Sequence, residues 1–350
     1  MAPVIREIQK DPDTFDLTIK STGQHREMLV QALSTFSITP NVDLDIMAGG
    51  QTLAYVTSEV LTAMQSYLQN NETDVVMVQG DTTTTMAAAM ASFYNGVRVA
   101  HVEAGLRTWN GWEPFPEEMN RRVTSLVGHY HFAPTDLSAQ NLLREGVDPA
   151  RVHVTGNPVV DALMYVLEHT EAPPTPIAEG RPYILMTCHR RESFGEPIRE
   201  IFGAIRAFAQ THPELSIWYP VHPNPKAKEP AHEILGDLEN VVLSEPLDYV
   251  GFVHAMKGAY LVVSDSGGVQ EEAPSLGKPV LVLRDVTERP EAVEAGTCRL
   301  VGPHRDRILE SLERLLSDKA EYQRMAGISN PFGDGAAAER IVSLIRDDYA

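Results

Sequence analysis

Three carboxylates in the first half of the chain, Asp81, Glu103 and Glu117, stand in the connections that follow apolar runs. The run 74–79 ends in Gly80-Asp81-Thr82-Thr83-Thr84-Thr85, and the run 97–102 ends in Glu103-Ala104-Gly105-Leu106-Arg107. A loop with two tryptophans and two prolines, residues 109–116, then leads into Glu117-Glu118-Met119-Asn120-Arg121-Arg122. Carboxylates gathered in one place raise one another's pKa, which suits proton transfer near neutral pH. Each has a plainer reading alone: Asp and Thr cap helices in any protein, and glutamates at a helix start complement its dipole.

The second half carries a different chemistry. After the apolar run 261–263 comes Asp265-Ser266-Gly267-Gly268, followed by a helix-compatible segment with Glu271 and Glu272 expected in its first turn. Glycines let a ligand approach the main chain, the Ser266 hydroxyl is placed to cap the helix, and free helix N–H groups attract an anion; one carboxylate beyond could take ribose hydroxyls. An ordinary capped turn reads the same way. Cys188-His189-Arg190-Arg191-Glu192-Ser193 also follows an apolar run, and its cations either answer a diphosphate or form a solvated loop. Three prolines make 220–225 a stiff loop in which His222 reads as structural, and His129 and His131 read as satisfied structural groups. No Cys/His spacing points to a metal.

Positioning these groups requires strands alternating with helices. Helices are expected at 2–10, 25–36, 51–69, 82–94, 117–127, 137–145 and 158–169, with strands at 15–20, 74–79, 97–102, 129–133 and 152–155. Residues 170–181, TEAPPTPIAEGR, read as a linker. Beyond it, strands at 183–187, 215–221, 241–243, 261–264 and 279–283 alternate with helices at 197–210 and 249–257, and helices at 305–316 and 337–349 close the chain. The fold class is therefore α/β: two Rossmann-like doubly wound domains, residues 1–170 and 171–334, with the helix 335–350 assigned to the first. In such sheets ligands bind at the carboxyl ends of the strands, which predicts an active site in an interdomain cleft.

At 350 residues, two domains are the default. The formal charge of −19 argues against a nucleic-acid partner, which would call for an excess of Lys and Arg. No apolar run reaches membrane-spanning length, the start MAPVIREIQK has no signal-peptide pattern, and two cysteines make no disulfide framework. A cytoplasmic location is expected.

Seven segments carry a resemblance: GDTTTT at Gly80, HVEAGLRT at His101, PEEMNR at Pro116, TGNPVVDAL at Thr155, HRRESFG at His189, PVHPNP at Pro220 and DSGGVQEEAPSLGKPVLVLRDVTERPEAV at Asp265. Together, and in order over nearly the whole chain, they resemble the non-hydrolysing UDP-N-acetylglucosamine 2-epimerases. The resemblance implies a GT-B arrangement, a homodimer, no cofactor or metal, and interconversion of UDP-N-acetylglucosamine and UDP-N-acetylmannosamine. It implies anti elimination of UDP to a 2-acetamidoglucal, then readdition with the proton delivered to the opposite face. By matched position, Asp81, Glu103, Glu117 and His189 are catalytic, Ser266, Gly267 and Gly268 bind the diphosphate, Glu272 binds the ribose, Phe252 borders the uracil, and Arg107 joins the substrate ligands. A second UDP-N-acetylglucosamine as activator is implied at Gln24, Glu118 and Arg190.

Two departures give further expectations. The family usually opens on a strand and a GTRPEAIK loop ahead of the sequence MAP, so this chain is expected to lack them and to be poorly folded or inactive as written. Glu59 stands where the activator site calls for an arginine, so weaker or altered activation is expected. The rival readings are a hydrolysing epimerase that releases N-acetylmannosamine and UDP, a glycosyltransferase of the same architecture, and an inactive nucleotide-sugar binder.

Overall fold

A computed structural model describes the chain apart from residues 24–31, 45, 47–49 and 350 and the side chain of Arg191. The chain divides into two compact units, residues 1–162 with 332–350 and residues 163–331.

The first unit opens on α1 (Ala2–Ile8), with Pro3 in its first turn, where a missing N–H costs nothing. Two short strands, β1 (Lys20–Ser21) and β2 (Val42–Asp43), pair in parallel. Then follow α2 (Leu53–Asn70), β3 (Val75–Gln79), α3 (Thr83–Tyr94), β4 (Arg98–Val102), α4 (Glu117–Val127), β5 (Tyr130–Ala133), α5 (Asp136–Arg144) and β6 (Val152–Val154). β3 to β6 form a parallel sheet in sequence order, in register Gln79↔Val102 and His101↔His131.

Threonine caps begin α2, α3 and α5. Thr52, Thr82 and Thr135 each accept a hydrogen bond from the backbone three residues on. Val56, Val60, Met64 and Leu68 make one buried stripe on α2, which meets the alanine face of α3 (Ala87, Ala88, Ala89 and Ala91) over Val78 and Val99. The opposite face of the sheet is covered by Val4 of α1 and by α14 (Ala337–Tyr349), through Ile341, Val342 and Ile345. Asp161 holds α14 in place by accepting from the N–H groups of Ala337 and Ala338 at 3.3 and 2.8 Å. Gly156 is needed at φ +84°, since an added Cβ would lie 3.3 Å from Gly333 Cα and Phe332 O. The TGNPVVDAL segment is thus the clasp of the last helix.

α6 (Pro158–His169) carries the chain into the second unit, and residues 171–182 hold neither helix nor strand. There follow β7 (Tyr183–Thr187), α7 (Glu196–Thr211), β8 (Ser216–Pro220), α8 (Pro225–Leu235), β9 (Val241–Ser244), α9 (Tyr249–Gly258), β10 (Leu261–Ser264), α10 (Gly267–Glu272), β11 (Val280–Val282), α11 (Pro290–Ala295), β12 (Cys298–Leu300), α12 (Arg305–Ser317) and α13 (Lys319–Ala326). The six parallel strands run β12-β11-β10-β7-β8-β9. The order reverses between β7 and β10, and the carboxyl ends of these two strands form the topological switch point where such sheets bind ligands.

Several expectations are corrected. The strand expected at 15–20 is only Lys20–Ser21, and the helix expected at 25–36 lies largely outside the described residues. The stiff loop at 220–225 ends in a helix, because Pro225 occupies its first position, where proline is favoured, and Asn224 caps it. Glu271 and Glu272 end the six-residue α10 rather than begin it. Short β12, α11 and α13 had no long apolar period to announce them.

Candidate active site

In the first unit, Asp81 and Glu103 follow the adjacent parallel strands β3 and β4. Gln79 Nε2 donates to Glu103 Oε2 at 3.2 Å, and a Cβ on Gly80 would come 3.7 Å from the same oxygen. Glu103 sits at φ +64°, a left-handed conformation that costs a glutamate energy, and strain of this kind clusters at active sites. Both carboxylates are half-buried.

The start of α4 is tied to the same turn. Asn120 Nδ2 donates to the Asp81 carbonyl at 2.9 Å and Arg121 Nη2 to Asp81 Oδ2 at 2.5 Å. Glu117 heads this helix, half-buried. The charge facing Asp81 is therefore the buried Arg121 guanidinium, whereas the sequence suggested only other carboxylates. Arg121 was missed because the glutamates ahead of it, read as complementing a helix dipole, drew the attention.

Behind this edge lie two buried histidines, side by side in the sheet. His101 Nε2 lies 2.8 Å from the Gly80 carbonyl, and burial holds its pKa down at about 4. His131 is held down at about 3, again chiefly by burial. Neither ring nitrogen makes a well-formed hydrogen bond, although the Gly128 backbone stands against the ring and draws its pKa the other way.

Two predicted ligands are used within the first unit itself. Arg107, expected to touch substrate, has a side chain with no exposure; it bonds Glu145 through Nε and Nη2 at 3.2 and 2.7 Å, Ser125 Oγ at 2.8 Å and the Leu106 carbonyl at 2.7 Å. Its fork is filled, so it anchors the loop after β4. Glu118, expected at the activator site, is fully buried and accepts from the backbone N–H groups of Thr108 and Trp109 and from Arg121. It shapes the loop ahead of Glu117. Glu59 is exposed on α2, and Gln24 lies outside the described residues.

In the second unit, the switch point is laced by Asp265. Its buried Oδ2 accepts from His189 N and Arg190 N, both at 2.8 Å, and from Ser193 Oγ at 3.1 Å. The HRRES loop after β7 and the DSGG turn after β10 are thus one structure, a tie that no spacing along the chain could announce. Ser266 precedes α10 but its hydroxyl makes no capping bond, contrary to expectation; its own N–H is turned back to Ser264 Oγ at 2.9 Å. Gly267 and Gly268 supply the first amides of the helix, which have no intrahelical acceptor. A Cβ on Gly267 would come 2.9 Å from Arg289 Nη1 and 3.0 Å from Glu288 Oε1.

Around the turn, charges are paired and buried. Arg289 Nε bonds Glu271 Oε1 at 2.6 Å, and its Nη1 bonds Glu288 Oε1 at 2.9 Å. Burial would raise the Glu288 pKa, but Arg289 and Arg284 hold it down at about 2. Glu272 has no such partner: burial pushes its carboxyl up to about 8, with the Tyr249 hydroxyl donating to Oε1 at 3.0 Å. Tyr249 begins α9 and Phe252 stands one turn further on, half-buried, so the expected ribose and uracil groups share one corner. His189 and Arg190 are half-buried, and the His189 ring stacks on His222 with centroids 5.6 Å apart. Among the described residues, no group of three or more His, Cys, Asp or Glu could hold a metal. Nor is any helix among them long and apolar enough to cross a membrane.

Two Rossmann-like α/β units of the GT-B type, with carboxylates at the strand ends of one and a glycine turn at the switch point of the other, define a nucleotide-sugar class of enzyme fold. The UDP-N-acetylglucosamine 2-epimerase family model matches residues 6–346, and the chain belongs to that family. It is 49% identical to the UDP-N-acetylglucosamine 2-epimerase of Escherichia coli O157:H7, over 99% of this chain and 95% of that protein. The crystal structure of the Neisseria meningitidis UDP-GlcNAc 2-epimerase bound to UDP-GlcNAc superposes with a TM-score of 0.92 at 46% identity, over 99% and 96% of the two chains. The Methanocaldococcus jannaschii enzyme in complex with UDP-GlcNAc and UDP does so at 0.81 and 33%, over 100% and 96%. The expectation of an absent opening strand and loop gains no support from these coverages.

Proposed function

We propose that this chain catalyses the reversible 2-epimerisation of UDP-N-acetylglucosamine and UDP-N-acetylmannosamine, without hydrolysis. The proton on sugar carbon 2 is not next to a carbonyl and is hard to remove, so the reaction proceeds by anti elimination of UDP to a 2-acetamidoglucal and readdition. Elimination needs acid/base groups on the sugar and a grip on the departing diphosphate. In this reading Asp81, Glu103 and Glu117 handle protons, with Arg121 aiming the Asp81 carboxylate. The Gly267 and Gly268 amides, Ser266 and His189 hold the diphosphate, Glu272 takes the ribose, and Phe252 borders the uracil.

The observation that carries the reading is the switch point of the second unit. There Asp265 joins the His189 loop to the glycine turn at the strand ends where this fold class takes nucleotides. Incubation with UDP-N-acetylglucosamine in deuterated water, followed by proton NMR, tests it. Loss of the carbon-2 proton signal with formation of UDP-N-acetylmannosamine is expected; accumulation of free UDP on chromatography would mean a hydrolase instead.

The enzyme works as a cytoplasmic homodimer in the same reading, which light scattering checks by giving twice the chain mass. A second UDP-N-acetylglucosamine activates it weakly, because the exposed Glu59 repels a diphosphate. Hyperbolic kinetics with UDP-N-acetylmannosamine alone are expected, and strict dependence on added UDP-N-acetylglucosamine would contradict this.

A further inference from the structure

The carboxylate of Asp265 is split in function. Oδ2 is saturated by the His189 and Arg190 amides and the Ser193 hydroxyl. Oδ1 is equally buried, has no hydrogen-bond partner, and faces His189 Nδ1 at 3.5 Å. A buried carboxylate oxygen left bare is costly, and an imidazole N–H that comes a few tenths of an ångström closer relieves that cost. The His189 ring plane is already set by its stack on His222, with 16° between planes. His222 Nδ1 accepts the Asn224 N–H at 3.2 Å, so its own proton lies on Nε2.

We propose that Asp265 is a positioning residue for His189: it holds the imidazole as the Nδ1–H tautomer, so that the proton taken up at Nε2 when the ligand binds gives an imidazolium whose Nε2–H donates to the diphosphate, with the Asp265 carboxylate balancing its charge. Ring and carboxylate close to a hydrogen bond when a ligand fixes the side chain, as catalytic contacts often tighten on binding. The groups facing the pair agree with this. Burial, Arg190 and His222 hold His189 toward its neutral form while Asp265 draws it the other way. The Cys188 thiol is held protonated by burial and by the Asp265 carboxylate, so it brings no competing charge and offers that carboxylate only a weak S–H donor. The inference rests on the reading that His189 serves the diphosphate, but its first test does not.

Asp265→Asn is a directed test, because the three donors at Oδ2 leave the new amide one orientation. Its oxygen must take the Oδ2 place, and its NH2 then points at His189 Nδ1, where it can only donate. Long-range proton–nitrogen correlation spectra of the 15N-histidine-labelled full chain read the tautomer without turnover. The expected results are Nδ1–H at His189 in the wild type and Nε2–H in Asp265→Asn. Epimerase kcat should fall at least a hundredfold in that variant, with KM changed much less, by the logic of a wrongly held tautomer. Ser193→Ala removes one donor to Oδ2 without touching Oδ1 and should keep both the wild-type tautomer and kcat within a few-fold. Nε2–H in the wild type would overturn the proposal, even if Asp265→Asn failed to fold. So would an unchanged tautomer in Asp265→Asn, or an inverted one with unchanged kcat. A failure of the epimerase reading would show separately, as a wild type that keeps the Nδ1–H tautomer and has no turnover.

Discussion

The strand ends of the two units solve opposite problems. In the first, Asp81, Glu103 and Glu117 stay half-exposed, and the strain at Glu103 and the Arg121 contact aim them. In the second, the carboxylates are buried and bonded: Asp265 laces loops, Glu271 and Glu288 hold Arg289, and Glu272 sits with Tyr249. In the proposed reaction, groups that exchange protons must remain accessible, whereas a turn that grips a diphosphate must be rigid. The support behind each edge differs as well, with neutral histidines behind the first and a neutral acid within the second.

The largest effects should come from breaking the first edge. Asp81→Asn, Glu103→Gln and Glu117→Gln are each expected to lower kcat by about 10²–10⁴-fold while UDP affinity, read by calorimetry, changes little. Gly267→Ala in the second should do the reverse. The added methyl meets Arg289 and Glu288, and UDP affinity should fall by about tenfold or more, about 1.4 kcal/mol.

Next in size is stability. Truncating Arg107 to alanine leaves the half-buried Glu145 with Arg122 as its remaining cation and the buried Ser125 hydroxyl without its donor, and should cost about 2 kcal/mol in denaturant unfolding; a loss of substrate affinity without a loss of stability would restore Arg107 as a ligand.

The smallest effects are in the pH profile, and they differ in sign. His101 and His131 have folded pKa values below the unfolded ~6.5, so the unfolded chain binds more protons between. Their contribution is present above that value and lost as pH falls toward 4 and below. Glu272 has a folded pKa near 8, above its unfolded ~4.3, so the folded chain binds the extra proton and stability drops as pH rises through that window. Each slope is at most about 1.4 kcal/mol per pH unit. Glu272→Gln should flatten the upper limb of a Tm-against-pH curve, and His131→Gln the lower one.

Much of this was legible in the sequence, for physical reasons. Carboxylates and glycines just after apolar runs mark strand ends, and β3, β4, β7 and β10 end within about one residue of expectation. What escaped were groups defined by partners far along the chain. Arg121 reaches back 40 residues to Asp81, and Asp265 reaches back 75 or more to the His189 loop. Arg107 reads as a ligand because it follows a strand end, and its partner Glu145, 38 residues on, is not visible in the spacing. Pro225 hid α8, since prolines read as a loop until one of them takes a helix's first position.

The division of labour is tested most directly by measuring, on the same preparations, UDP affinity and deuterium exchange at carbon 2 of UDP-N-acetylglucosamine. Wild type, Glu103→Gln and Gly267→Ala suffice. The prediction is that Glu103→Gln binds UDP like the wild type and exchanges at least a hundredfold more slowly, while Gly267→Ala binds UDP weakly and regains exchange at saturating substrate. Equal loss of binding and exchange in both variants would contradict the separation of proton handling from diphosphate grip.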